Sequence, residues 1–329
     1  MAHTPGSMLD LLRLSRPLNL LIITMTMVVM RYGLLRTLLA TNGRELQMST
    51  TDFVLLVIST VLIAAAGNII NDYFDTRIDR VNKPGEVIVG RTVKRRVAMA
   101  AHLALSALGL LLGAYVAWHT HQARWALIPA FAIGALWTYS TTLKRRFLIG
   151  NGLVAFLSAL VPLTVGLYEI PLLQERYAEE LLNIFLVPEL VAMYFQVLWA
   201  WIGAYALFAF LSTLVRELQK DMADVKGDRM DGCRTVPIVL GPAWARAFVV
   251  LYVFIMVLGL MLIQRLFLHD TLSAWYIGAG IILPLLLSAG LSLNARTRME
   301  HVTAGVVMKI AMVLAVGYAL VLPLVIQSP

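Results

Sequence analysis

A single cysteine, Cys233, excludes an internal disulfide and any cysteine metal cage. Charge is scarce as well: 14% of the 329 residues are charged, against 60% hydrophobic. With a mean hydropathy of +0.79, that is far from a soluble globular domain. Ten-residue stretches of alternating polarity, the mark of a membrane β-barrel, are also missing. What is present is a series of continuous apolar runs, each long enough to cross ~30 Å of hydrocarbon. The composition therefore predicts an all-α, polytopic membrane protein. No cleavable signal peptide is expected, because residues 1–7 are short and polar and the first apolar run is of full spanning length. Met8 is an alternative start. A net charge of +8 would suggest a nucleic-acid partner in a soluble protein. Here basic loops on one side account for it, and no nucleic acid is expected.

Nine spans are expected, near 18–40, 52–72, 97–118, 124–142, 150–170, 194–215, 243–265, 273–293 and 303–326. Residues 175–186, in the connection between spans five and six, suit a short amphipathic helix at the interface. His119 and His121, in a short loop, read as solvated interfacial residues. Lys and Arg sort by side. The N-terminus and the loops after spans two, four, six and eight carry 20 of the 27, counting Arg246. By the positive-inside rule these regions are cytoplasmic, in a cytoplasmic membrane.

Two stretches stand out. The first reads Asn68-x3-Asp72-x2-Asp75-x3-Asp79 and the second Glu217-x3-Asp221-x2-Asp224-x3-Asp228. At about 100° per residue each set falls within a ~60° arc of a helix. With Glu86 and Asp231 beside them, they hold nine of the 19 acids. A stripe of carboxylates repels itself unless cations sit on it. Hard divalent cations suit carboxylate oxygens, and Mg²⁺ keeps room for phosphate ligands. The pair thus reads as a clamp for Mg²⁺ and a diphosphate. Basic side chains on the same side complete the neutralisation: Lys83, Arg91, Lys144 and Arg145 are the diphosphate-binding candidates. The second stretch repeats the first 149 residues later, which points to an internal duplication within one domain, halves roughly 13–150 and 151–329. Two parallel-related bundles of four helices plus one extra, with the site between them, are expected.

Asn71-Asp72-x2-Asp75-x3-Asp79 and Asp221-x2-Asp224-x3-Asp228 resemble the two aspartate-rich motifs of the UbiA superfamily of intramembrane prenyltransferases. The resemblance covers essentially the whole chain. It includes Arg16-Pro17-x-Asn19, Tyr139-Ser140-x3-Lys144 and Gly150-Asn151. Within the superfamily, Arg216-Glu217-x2-Lys220-Asp221 is most similar to the geranylgeranylglyceryl-phosphate geranylgeranyltransferases. The chain departs from its relatives after the first motif, where residues 83–90 carry Glu86 in place of a Pro-x-Ser-Gly-like run.

The resemblance implies a Mg²⁺-dependent transfer of a polyprenyl group from its diphosphate to a lipophilic or amphiphilic acceptor among the membrane lipids. Asp72, Asp75, Asp221 and Asp224 are the catalytic candidates. Asn68, Asn71, Asp72, Asp75 and Asp79 would serve one metal, and Glu217, Asp221, Asp224 and Asp228 the other. Asn19, Tyr139, Ser140 and Asn151 are the substrate-pocket candidates. A glycerophosphate ether needs cations beyond those on the diphosphate, and Arg91, Lys94, Arg95, Arg96, Lys144, Arg145 and Arg146 are in excess. Geranylgeranylglyceryl phosphate is therefore the favoured acceptor, with 4-hydroxybenzoate or a naphthoate the alternative. A cation-coupled transporter is the rival of another class. Its ion site would sit at mid-membrane rather than at helix ends.

Overall fold

The computed structural model describes residues 8–326, so what was expected of residues 1–7 lies outside it. The described residues are helical throughout, apart from turns and one isolated bridge between Val89 and Val93. After a short helix, Met8–Leu14, the long helices are α1 (Pro17–Ala40), α2 (Thr50–Asn82), α3 (Arg95–His119), α4 (Leu127–Thr141), α5 (Ile149–Phe185), α6 (Pro188–Met230), α7 (Pro242–Phe267), α8 (Thr271–Asn294) and α9 (Arg298–Ile326). Eight of them are long and apolar enough to cross a membrane. The expected fourth span, α4, has only 15 α-helical residues and is entered through a 3-10 turn, Ala123–Ala126. The chain is a multi-pass membrane protein.

One expectation is corrected. Residues 175–186 are not a separate interfacial helix. They continue α5 straight through Pro171, and the chain reverses only at Leu186, which is left-handed, before Pro188 opens α6. Proline is tolerated inside a spanning helix, so Pro171 marks no break. At 1.5 Å per residue α5 and α6 run to roughly 55 and 65 Å, well beyond the hydrocarbon. His119 is solvent-exposed, as expected. Its Nδ1 lies 2.9 Å from Asp52 Oδ1 near the start of α2, and its ring stacks on Tyr115. His121 is exposed.

α2 and α6 are the hubs. α3 and α4 pack on α2, while α5, α7 and α9 pack on α6. The buried Gln219 amide donates to Ser288 Oγ and Ser292 Oγ, both at 2.8 Å, and ties α6 to α8. At the end away from the acidic stretches, α1, α2, α5 and α6 share an apolar core around Met30, Leu34, Phe53, Tyr168 and Leu198. One ion pair is embedded there. Arg31 Nε lies 3.2 Å from Glu169 Oε2, with both side chains at most 2% exposed. Glu169 Oε1 also accepts from the Gln47 and Met48 amides, and Arg31 donates to the Met48 carbonyl. The α1–α2 loop is thereby fastened over this end.

Candidate active site

Both acidic stretches lie within unbroken helix. α2 runs ten residues past the expected end of its span, to Asn82, and α6 continues to Met230. The helices touch at their charged ends. Asn82 Nδ2 donates to the Asp224 carbonyl at 3.1 Å, and the Gly227 amide donates to Asn82 Oδ1 at 2.9 Å. A Cβ at Gly227 would stand 2.5 Å from Asn82 Nδ2, so only glycine permits this approach.

Most of the carboxylates face a cation or an amide contributed by another segment. Arg16 reaches Asp72 Oδ1 at 2.6 Å, from a left-handed backbone that turns the chain into α1. Lys144 contacts Asp75 Oδ1, with both side chains largely buried. Lys83 lies 3.4 Å from Asp79, one turn away on the same helix. In the second half, Asn151 Nδ2 donates to Asp221 Oδ2 at 2.8 Å, Arg298 Nε lies 3.5 Å from Asp224 Oδ1, and Arg216 reaches Glu217 at 3.0 Å. Such charge-assisted contacts hold both partners in register.

The Tyr139–Asn151 region has a structural logic. A Cβ at Gly150 would meet Lys144 Cα at 2.8 Å and the Leu143 carbonyl oxygen at 2.9 Å. Glycine lets the 3-10 turn Leu143–Arg145 lie flat on the start of α5. Lys144 then points to the first acidic helix and Asn151 to the second.

Other candidates are placed differently. Ser140 is buried, and its hydroxyl is spent on the Leu136 carbonyl of its own helix. Tyr139 is half-buried, within electrostatic reach of Lys220, Glu217 and Asp75. Arg145 is engaged by Asp231 at 2.7 Å and joins two loops. Arg91 is exposed and donates to the Pro84 carbonyl. Arg95 and Arg96 are exposed, with Arg95 lying 4.1 Å over the Tyr73 ring. Asn68 donates to the Ser15 carbonyl, and Asn71 is buried with its Oδ1 unpartnered. Burial pushes the Cys233 thiol up to about 11, which leaves it unreactive. Among the described residues no three His, Cys, Asp or Glu side chains converge as a preformed metal cage. Of the acids in the two motifs, Asp72 and Asp79 open on a common mouth, to which α6 contributes Lys220.

That mouth is a polar cavity of about 700 Å³, bordered by Arg16, Asp72, Asp79, Lys83, Arg91 and Lys220. One helical turn deeper, at Asn68, begins an apolar cavity of about 280 Å³. Asn19, Arg216 and Lys309 also border it. Ile63, Leu136, Leu157 and Phe208 supply its apolar wall, and Tyr168 lines it too.

The UbiA prenyltransferase family model matches residues 21–313. The chain belongs to the UbiA prenyltransferase family. The digeranylgeranylglyceryl phosphate synthase of Methanothermobacter thermautotrophicus is 33% identical over 232 residues, 69% of either chain. The synthase of that name from Natronomonas pharaonis is 34% identical over 185 residues, and there the match spans only 56% of either chain. Among solved structures, a UbiA homolog from Aeropyrum pernix K1 superposes with a TM-score of 0.61 at 17% identity, covering 91% of this chain and 96% of that one. A UbiA homolog from Archaeoglobus fulgidus bound to GPP and Mg²⁺ gives 0.56 at 18%, covering 95% and 99%. At those identities the likeness is one of fold.

Sequence reasoning left four groups of this UbiA family member without a role. Arg16 was noted only as part of a motif, although an arginine next to Pro17 at a span's mouth is a usable signal. Lys220 stood inside the second motif. Arg298 and Asn82 carry no local signal, because their partners lie 74 and 142 residues away in the chain.

Proposed function

We propose that this chain transfers a geranylgeranyl group from its diphosphate to the free hydroxyl of geranylgeranylglyceryl phosphate, with Mg²⁺ as cofactor. The observation that carries the reading is the junction of two acidic helices at the mouth of an apolar cavity. A prenyl diphosphate has the same two-part character. Its tail fits the cavity, and its diphosphate then reaches the mouth.

The donor set suits Mg²⁺. Asp72, Asp75 and Asp79 on one helix and Asp221, Asp224 and Asp228 on the other supply hard oxygens, and Asn71 adds a buried oxygen without a partner. Mg²⁺ when bound neutralises the diphosphate and stabilises it as a leaving group. Lys83 and Lys144, already among these carboxylates, are placed to donate to diphosphate oxygens. The allylic C1–O bond breaks, with its electron pair leaving on diphosphate. The acceptor hydroxyl oxygen bonds C1, and its proton is taken up at the carboxylate-lined mouth. The apolar wall keeps water from the allylic cation.

The basic loops make the mouth cytoplasmic, in the cell membrane. α2 and α6 both end at the mouth, which supports a duplication of parallel rather than inverted halves within one domain. The deciding experiment is a product assay of purified protein with geranylgeranyl diphosphate, Mg²⁺ and a panel of acceptors. Prenylation of geranylgeranylglyceryl phosphate is expected. Efficient prenylation of 4-hydroxybenzoate or a naphthoate, with the glycerophosphate untouched, would overturn the acceptor.

A further inference from the structure

Lys309 sits inside α9, roughly 16 Å along the helix from Arg298 at 1.5 Å per residue. Its Nζ lies 3.0 Å from Asn19 Oδ1, and none of the ion pairs among the described residues includes it. An ammonium within a span is costly to keep, and such groups face cavities and mark substrate paths. Lys309 does line the apolar cavity. Arg216 lines it as well and spends one nitrogen on Glu217. A guanidinium has five N–H donors, so others stay available. Thr213 borders the same cavity with its Oγ1 buried and unpartnered.

Two cations and an idle hydroxyl thus meet at the polar end of an otherwise apolar cavity. α6 and α9 contribute them, and α1 adds Asn19. The lysines assigned to the diphosphate, Lys83 and Lys144, are absent from that lining. The geometry points to a second anion subsite, in which Lys309 and Arg216 hold the phosphate of the acceptor. The inference rests on the glycerophosphate reading above. It names the residues that tell a phosphorylated acceptor from its phosphate-free analogue. Two cations match the charge of a phosphate monoester, and arginine offers it a bidentate fork. With the phosphate seated here, the neighbouring hydroxyl is directed toward the mouth where the diphosphate leaves. Asn19 then orients the lysine through its side-chain oxygen.

The test compares wild type with Lys309→Met and Lys309→Arg. Kinetics are measured with geranylgeranyl diphosphate and either geranylgeranylglyceryl phosphate or geranylgeranylglycerol. Methionine keeps the length of the side chain and removes a charge from the span. Lys309→Gln is the second variant should the methionine form fail to reach the membrane. Removing a charged hydrogen-bond donor is expected to raise the KM for the phosphorylated acceptor roughly 10- to 100-fold. The KM for the donor should stay within about twofold, since its phosphates contact other side chains. The preference for the phosphorylated over the phosphate-free acceptor should shrink by the same factor, and Lys309→Arg should restore most of it. An unchanged acceptor KM, or equal losses for donor and acceptor, overturns the subsite. A wild type active on geranylgeranylglyceryl phosphate with an indifferent variant refutes the subsite alone. A wild type that ignores this acceptor removes the glycerophosphate reading and the subsite together.

Discussion

Gly227→Ala offers a measurement of how tightly the two acidic helices are locked. Within a helix the change from glycine to alanine should gain about 1 kcal/mol of propensity. Here the new Cβ would stand 2.5 Å from Asn82 Nδ2 and 2.7 Å from its Cγ. Asn82 cannot give way cheaply, because it holds the Asp224 carbonyl and the Gly227 amide. Moving it forfeits two hydrogen bonds, about 0.5–1.5 kcal/mol each, and overpacking adds about 1–3 kcal/mol. The clash therefore outweighs the propensity gain, and a net loss of about 1–5 kcal/mol is expected. Because the strain falls between the motifs, turnover at limiting Mg²⁺ should fall before membrane insertion does. Thermal unfolding in detergent and a Mg²⁺ titration of turnover measure both effects. Asn82→Ala removes the same two bonds without a clash. The double variant should then lose less than the sum of the two singles, as neighbouring sites do. The reasoning fails if Gly227→Ala is as stable as wild type with an unchanged Mg²⁺ dependence, or if the two losses simply add.

Asp72→Ala and Asp221→Ala are each expected to abolish turnover while the protein stays in the membrane; near-wild-type turnover of either at saturating Mg²⁺ removes the metal assignment. A cysteine introduced beside Lys94, in a Cys233→Ser background, should resist impermeant reagents in intact cells and label in inverted vesicles, and the opposite pattern reverses the topology. Arg31→Met leaves Glu169 buried and unpaired, which should cost about 3–5 kcal/mol in thermal unfolding. Pairing it with Glu169→Leu should recover much of that loss, and a double variant no better than the single would deny that the pair acts as a unit.

Hydropathy made the membrane class and most spans legible, since each long helix carries a continuous apolar run. It misplaced ends where polarity and helix part company. α2 runs on past residue 72 because its last turns are held by ion pairs and by α6, not by lipid. α5 crosses Pro171 because a spanning helix packed along α6 keeps its remaining backbone bonds. α4 falls short because part of its length is wound as a 3-10 turn.

The site divides along a similar line. The acidic stripes were legible because helical period alone puts their residues on one face. Which basic residues serve them was not, because Lys144 and Arg145 look alike in sequence. Gly150 seats the turn so that Lys144 meets Asp75, whereas Arg145 falls against Asp231. The loop arginines that leaned toward a phosphate-bearing acceptor turn out to be exposed or engaged elsewhere. The cations that do border the apolar cavity are Arg216 and Lys309. Lys309 is a charge inside a span, but its partner Asn19 lies 290 residues away, in the first turn of α1. A phosphate-bearing acceptor is thus favoured by two half-buried cations that line the cavity and not by the surplus of surface charge, which positive-inside bias alone would produce.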